Sequence, residues 1–290
     1  MKRLFLLHLA LACALLSNKP AIASELSYII ITSDKAKEIT DYFEAGVGKV
    51  VEGAKARRVD CNSPEGKAWI EKLEIEFVPF IIFGRDIQDS QKFFELAKND
   101  MIEPRGNVYI IPEGKLIPAG GVFFKRRPKP GQLEVFIMGQ CPMAKEALVF
   151  VDEYLSKKPA AFKSSLHYIT NITDFCINSQ RGEEEVKEDI YQLLIRKYYP
   201  DKFSKYFFLR GPEKGFGRAA EEAGINADKI KRKLEEGIDL LRQDAKLAKE
   251  YGVKSSPTFV WEGQIIFLGL DSFSRFLSSR DGSPQTPASQ

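Results

Sequence analysis

MGQCPMAKEA, residues 138–147, is the stretch that decides the fold. An apolar run, Leu133 to Met138, leads into it with the look of a buried strand. CPMAKEALVFVDEYL leads out of it on a helical period. At the junction stands one cysteine, Cys141, with Pro142 directly after it. Ala144 occupies the place where a second cysteine would complete Cys-x-x-Cys. A cysteine at a helix start faces unpaired backbone N–H groups and the positive end of the helix dipole, and both favour a thiolate. Pro142 suits the first helical position because its missing N–H would have had no partner there.

Working outward, the chain tells a similar story twice. SYIIIT (27–32) reads as a buried strand followed by SDKAKEITDYF on a helical period, as LEVFIM (133–138) is followed by its helix. AKARRVDC (54–61) and SLHYITN (165–171) read as second strands. FVPFIIF (77–83) and SSPTFVW (255–261) each carry a proline that opens an apolar strand. FKRRPKPGQ (124–132) lies between the halves as a linker, and its Lys125, Arg126, Arg127 and Lys129 read as solvated charge. The second half is longer. GEEEVKEDIYQLLIRKYYP predicts a helix that stops at Pro200, with Val186, Ile190, Leu193, Leu194 and Tyr198 on its apolar face. DKIKRKLEEGIDLLRQDAKLAKEYG predicts another, with Ile230, Leu234, Ile238, Leu241, Ala245 and Ala248 on one face and Gly252 as its stop. TFVWEGQIIFLG predicts a hairpin, LDSFSRFLSS a closing helix, and the polar end a disordered tail.

The first residues have the pattern of a secretory signal: Lys2 and Arg3, an apolar Leu4–Leu16, and Ala21-Ile22-Ala23 before Ser24. A lipid-bearing Cys13 is the weaker variant, because Ala10-Leu11-Ala12 is a poor lead-in and the apolar run continues past the cysteine. No later segment is long and apolar enough to span a bilayer. The 43 basic residues face 40 acidic ones. Loss of Lys2, Arg3 and Lys19 with the signal brings the remainder to balance, which argues against nucleic acid as an electrostatic partner.

Of two histidines, only His167 follows the signal. A His-rich metal site is thereby excluded, and His167 in LHYIT reads as packed and hydrogen-bonded. Three cysteines follow the signal, Cys61, Cys141 and Cys176. An odd number in an exported chain leaves at least one thiol free or paired with another molecule.

Cys141-Pro142-Met143-Ala144 after a strand, helices at roughly 180–250, and Ser256-Pro257-Thr258 opening a strand together resemble the thioredoxin superfamily, more closely its DsbA-like branch. The resemblance covers about residues 133–278. It implies an α/β fold of two tandem thioredoxin-like domains, the second with a helical insertion between its second strand and the cis-proline loop. Residues 1–23 are then the signal peptide, 24–124 a thioredoxin-like domain without a redox motif, 125–132 the linker, 133–279 the DsbA-like domain and 280–290 the tail. In the first domain Val78-Pro79 matches the cis-proline position and Ser33 the nucleophile's place. Ser33 or Asp34 is expected to cap the helix there.

The resemblance implies an exported, periplasmic thiol–disulfide exchange protein without cofactor or metal. Its expected partners are cysteine-containing client proteins and a redox partner protein or small thiol. Cys141 is the expected nucleophile, and Ser256, Pro257 and Thr258 form the substrate loop. The family's usual motif has two cysteines, and Ala144 removes the resolving one. A monothiol suits isomerase- or reductase-like exchange, because the client supplies the next thiol. Cys176, five residues beyond Asn171, is the candidate for resolving within the chain. Cys61 stands similarly in the first half, and a small buried hydrophobe is the alternative for both. A redox-inactive binding or chaperone-like module, and a scaffold with Cys141 permanently bonded to Cys176, are the competing readings.

Overall fold

The computed structural model describes residues 26–172, 177–210 and 214–280. The signal segment with Cys13, residue Cys176 and the polar tail from 281 lie outside the described residues. The chain is mixed α/β, with two five-stranded sheets and a two-stranded ribbon.

β1 (Ser27–Thr32) is an interior strand of the first sheet, and its Ile30 and Ile31 are wholly buried. It pairs in parallel with β2 (Lys55–Asp60) and antiparallel with β3 (Phe80–Phe83), whose four residues are all buried. β4 (Glu103–Arg105) and β5 (Val108–Ile110) complete the order β2-β1-β3-β5-β4. A 3-10 turn over Asp34–Ala36 precedes α1 (Lys37–Val50). α2 (Pro64–Leu73) starts where Ser63 accepts a hydrogen bond from the Gly66 N–H, with proline in the first turn. Gly66 has no alternative, since a Cβ there would lie 2.0 Å from the Asp60 carbonyl oxygen. Two short helices follow, α3 (Phe93–Lys98) and α4 (Glu113–Leu116).

The second sheet is built around β7 (Gln132–Ile137), parallel to β8 (Lys163–Tyr168) and antiparallel to β11 (Thr258–Trp261). β12 (Ile265–Leu268) returns from β11 through a three-residue turn, in which Glu262 and Gly263 take positive φ. The outer strand is β6 (Gly120–Val122), so this sheet runs β6-β12-β11-β7-β8. The residues that the sequence assigns to the end of the first half thus hydrogen-bond into the second sheet. Val122 also meets the first half. Val78 N–H donates to Val122 O at 3.0 Å, and Val122 N–H donates to Val78 O at 2.7 Å.

α5 (Pro142–Lys157) follows β7 and buries Ala144, Ala147 and Val151. Between β8 and β11 come the ribbon β9 (Asn171–Ile172) and β10 (Ile177–Asn178), then α6 (Glu183–Tyr198), α7 (Pro200–Leu209), α8 (Phe216–Glu222), α9 (Ala227–Lys231) and α10 (Leu234–Tyr251). The helix expected to stop at Pro200 does stop there, but Pro200 itself opens α7, where its missing N–H is harmless. The long stretch expected as one helix is two, α9 and α10, and Gly252 ends α10 in the left-handed conformation. α11 (Leu270–Arg280) closes the second core, stacking Phe273 on Phe259 at 4.4 Å between ring centres. It includes Arg280, the residue at which the sequence places the start of the tail. Among the described residues no helix is long and apolar enough to cross a membrane.

The basic linker is only partly solvated. Lys125, Arg127 and Lys129 are exposed, but the Arg126 guanidinium lies 3.7 Å from the centre of the Phe123 ring and 4.7 Å from that of Tyr251. Flat guanidinium on aromatic faces is favourable packing for an arginine that the sequence presents merely as charge.

Candidate active site at the Cys141 turn

β7 leaves its sheet at Ile137, and Met138, Gly139 and Gln140 turn the chain into α5. Cys141 N–H donates to Met138 O at 2.9 Å, and Ala144 N–H to Cys141 O at 3.1 Å. Cys141 is therefore the N-cap of α5, in extended conformation, with Pro142 as the first helical residue. The thiol is partly exposed and free. Met143 beside it is half-exposed, whereas Ala144 is fully buried against the core.

The second wall is the loop before β11. Cys141 Sγ lies 3.7 Å from Ser256 O, within reach of a weak S–H donor. Ser256 Oγ accepts from Met138 N–H at 3.0 Å, so the same serine braces the strand end and faces the thiol. The Ser256–Pro257 and Val78–Pro79 peptide bonds are cis. Thr258 is buried, and its hydroxyl donates to Ser255 O at 2.6 Å. Cys141, Pro142, Met143, Ala144, Ser256, Pro257 and Thr258 are thus brought into one place. Cys176 lies outside the described residues.

The third wall is α6, which the sequence does not announce. Asp189 Oδ1 accepts from Gly139 N–H at 2.8 Å, and Gln192 Nε2 donates to Gly139 O at 3.2 Å. Both backbone groups of Gly139 are held by one helix, two residues before the thiol. A Cβ on Gly139 would lie 2.3 Å from Asp189 Oδ1, so only glycine fits. Arg181 donates to Gln140 O as well. Behind Gln192, Tyr168 and Glu188 continue the network, and Arg210 Nε meets Glu188 Oε2 at 2.7 Å.

Glu185, Glu188, Asp189 and Gln192 recur at helical spacing, a buried polar stripe beside the apolar one. That spacing was the available signal. Read from the sequence, Glu185 looks like a first-turn acid that suits the helix dipole, and Glu188 and Asp189 look like solvated charge. Burial pushes the Asp189 carboxyl well above the usual range, against the pull of the Gly139 N–H, and the charges of Glu185, Glu188 and Asp244 push the same way. Burial thus favours the protonated form of this carboxyl.

His167 is not the base of the thiol. Its Nδ1 is 2.7 Å from Asp244 Oδ1 and its Nε2 2.8 Å from Glu134 Oε2. Burial disfavours the charged ring, but the hydrogen bonds to Asp244 and Glu134 outweigh it and carry the pKa to about 9. His167 is a packed, doubly bonded imidazolium, as its apolar setting suggests. Cys61 is free and 5 % exposed, and burial, with help from Asp60, pushes its thiol up. Ser33 and Asp34 make no side-chain cap, contrary to expectation. The 3-10 turn intervenes, the Ala36 N–H bonds to Ser33 O at 2.9 Å, and Ser33 Oγ is buried with no partner among the described residues. Among the described residues no group of three or more His, Cys, Asp or Glu is placed to hold a metal ion.

No family model matches the sequence, and no curated protein is similar to it. Solved structures do resemble it. The chain is similar to thioredoxin-like disulfide oxidoreductases. The thiol–disulfide exchange protein alpha-DsbA2 from Wolbachia pipientis overlaps 54% of this chain and 83% of its own, at 13% identity and a TM-score of 0.41. A thioredoxin-like oxidoreductase from Silicibacter pomeroyi DSS-3 overlaps 58% of this chain and 95% of its own, at 20% identity and a TM-score of 0.40. A periplasmic thioredoxin-like protein from Salmonella enterica serovar Typhimurium overlaps 57% and 92%, at 18% identity and a TM-score of 0.41. Overlaps this partial and distant carry no weight for the chemistry, which rests on the geometry of this chain.

Proposed function

We propose that this chain is an exported, periplasmic thiol–disulfide exchange protein, isomerase- or reductase-like, with Cys141 as its only motif thiol. The fold we infer is two tandem thioredoxin-like domains. In each, a strand–helix–strand unit with parallel pairing precedes a cis-proline loop and an antiparallel hairpin or pair, and α6–α10 form the insertion in the second. One observation carries the reading: a free, partly exposed cysteine stands at the N-cap position of a sixteen-residue helix, with its Sγ 3.7 Å from the carbonyl before Pro257.

In the proposed cycle the Cys141 thiolate attacks one sulfur of a client disulfide. A Cys141–client disulfide forms and a client thiolate leaves. A second client thiolate then attacks the client sulfur of that adduct, which makes a new client disulfide and returns Cys141 as thiolate. The net electron count is zero, as isomerisation requires. Where no client thiol is placed to attack, a small thiol attacks the Cys141 sulfur and the client leaves as a thiolate. A second small thiol then displaces Cys141 from the remaining mixed disulfide, so the client is reduced and two small thiols (or a partner reductase's dithiol) are oxidised to a disulfide. Cys176 is the proposed resolving group within the chain. Ala144 has no sulfur and cannot take that role. The loop at Ser256, Pro257 and Thr258 offers backbone to an extended client segment.

The test is refolding of a client with scrambled disulfides. Wild type accelerates recovery of native pairing, and Cys141→Ser drops to the uncatalysed rate while keeping its fold. Equal acceleration by Cys141→Ser overturns the proposal.

A further inference from the structure

A cleft of about 810 Å³ adjoins the Cys141 turn and plays no part in the chemistry above. Its floor is apolar, with Met138 and Val253 among the lining residues. Its rim carries Arg242, Lys246, Lys249 and Lys254, and among the described residues no carboxylate lines it. Arg242 pairs with Asp239 at 2.9 Å, but Lys246, Lys249 and Lys254 are exposed and take part in no ion pair among the described residues. Arg242, Lys246 and Lys249 recur at four and three positions along α10, so they share one face. Basic residues in the last turn of a helix ordinarily answer its dipole. That effect fades within one turn and does not account for Arg242 and Lys246, which stand farther in.

A second observation points to a ligand. Thr170 lines the same cleft, is 8 % exposed, and its hydroxyl has no hydrogen-bond partner among the described residues. A buried hydroxyl without a partner costs roughly 1–3 kcal/mol, and a bound polar group would remove that cost. The cleft also borders the thiol's surroundings. Met138 lines it and bonds to Ser256. Lys254 lines it and stands two residues before the carbonyl that faces Cys141 Sγ.

We propose that this cleft is the subsite for an acidic segment of the client polypeptide, lying within about four residues of the client cysteine, roughly 13 Å of extended chain. The inference rests on Cys141 being the nucleophile, and it adds what that reading lacks, a basis for choosing clients. The lysines attract the segment and orient the disulfide toward Sγ. Near-neutral overall charge leaves this local patch as the steering field.

The test uses three peptides, with glutamate, glutamine or lysine flanking one cysteine, each as its 2-pyridyl disulfide. Attack of Cys141 on the peptide sulfur forms Cys141–S–S–peptide and releases neutral pyridine-2-thione, which is read by absorbance. The glutamate peptide is expected to react about tenfold or more faster than the lysine peptide at low salt, with the ratio collapsing as salt screens the patch. In K246E/K249E, whose altered residues are exposed, the ratio should collapse or invert, while the rate with uncharged dipyridyl disulfide is unchanged. In parallel, cysteine-free versions of the peptides are titrated by fluorescence anisotropy, with preferential binding of the glutamate peptide expected in wild type only. Failure of dipyridyl disulfide to modify Cys141 sinks the nucleophile and leaves the anisotropy result to judge the cleft. Charge-independent rates, or a preference unchanged in K246E/K249E, overturn the cleft proposal, as does glutamate-peptide binding no stronger than that of free glutamate.

Discussion

Val78 and Val122 exchange both of their backbone hydrogen bonds, at 3.0 and 2.7 Å, and so join the first half of the chain to the edge strand of the second sheet. Val78 directly precedes Pro79, as Ser256 precedes Pro257. The two loops are in opposite conditions. One is closed by the chain's own strand. The other faces a free thiol.

The closed loop leaves no space at Gly121. A Cβ there would lie 2.4 Å from Val78 O and 2.5 Å from the Phe77 ring, at a φ of +149°. Gly121→Ala is expected to destabilise the protein by about 2–4 kcal/mol, from overpacking and backbone strain together. Gly114→Ala, with nothing near its would-be Cβ, should be close to neutral. Urea unfolding midpoints at constant m decide it. Equal midpoints for the two variants would mean the bridge contributes little.

His167 makes stability depend on alkaline pH. Its folded pKa of about 9 exceeds the 6.5 of an ordinary histidine, so the folded state holds the proton more tightly. The contribution is fully present below about pH 6.5 and is lost as pH rises through about 9, amounting to ~3 kcal/mol at most. His167→Gln should be less stable at pH 6 and should lose the downward slope between pH 6.5 and 9. A slope unchanged in the variant would remove His167 as its source.

Asp189 has the same sign at lower pH. Its carboxyl is raised by burial, so it weakens the fold progressively as pH climbs above about 4, where an unfolded aspartate ionises. Asp189→Asn keeps an acceptor for the Gly139 N–H and cannot ionise. It should equal or exceed wild type in stability at pH 7. Asp189→Ala orphans that N–H and should cost about 1–3 kcal/mol. Thermal or urea unfolding of both variants at pH 5 and 7 checks the order. Asparagine behaving like alanine would mean that the charge, not the acceptor, holds the turn.

Much of the frame around Cys141 is legible in the sequence, because local periodicity and punctuation carry it. The strand before MGQCPMAKEA, the helix after it, Pro142 in the first turn, Gly252 as a stop and the hairpin after Pro257 are all set by residues close to one another. What the sequence hides is long-range. Nothing local in Gly120-Gly121-Val122 tells that it will pair with both β12 and Val78. Glu185, Glu188 and Asp189 look solvated until Gly139 and Arg210 are brought to them from distant parts of the chain. Arg126 looks like linker charge until the rings of Phe123 and Tyr251 enclose it. Lys254 stands apart from the α10 lysines in the sequence and joins them only at the cleft.

The central claim is that Cys141 is the working thiol. Reduced, folded protein would be exposed briefly to a small neutral disulfide, quenched with acid and mapped by peptide mass spectrometry at Cys61, Cys141 and Cys176. The account predicts that the mixed disulfide accumulates on Cys141 well ahead of Cys61, whose thiol is buried and held protonated. Labelling of Cys61 first, or none at Cys141 until the protein is unfolded, would contradict it.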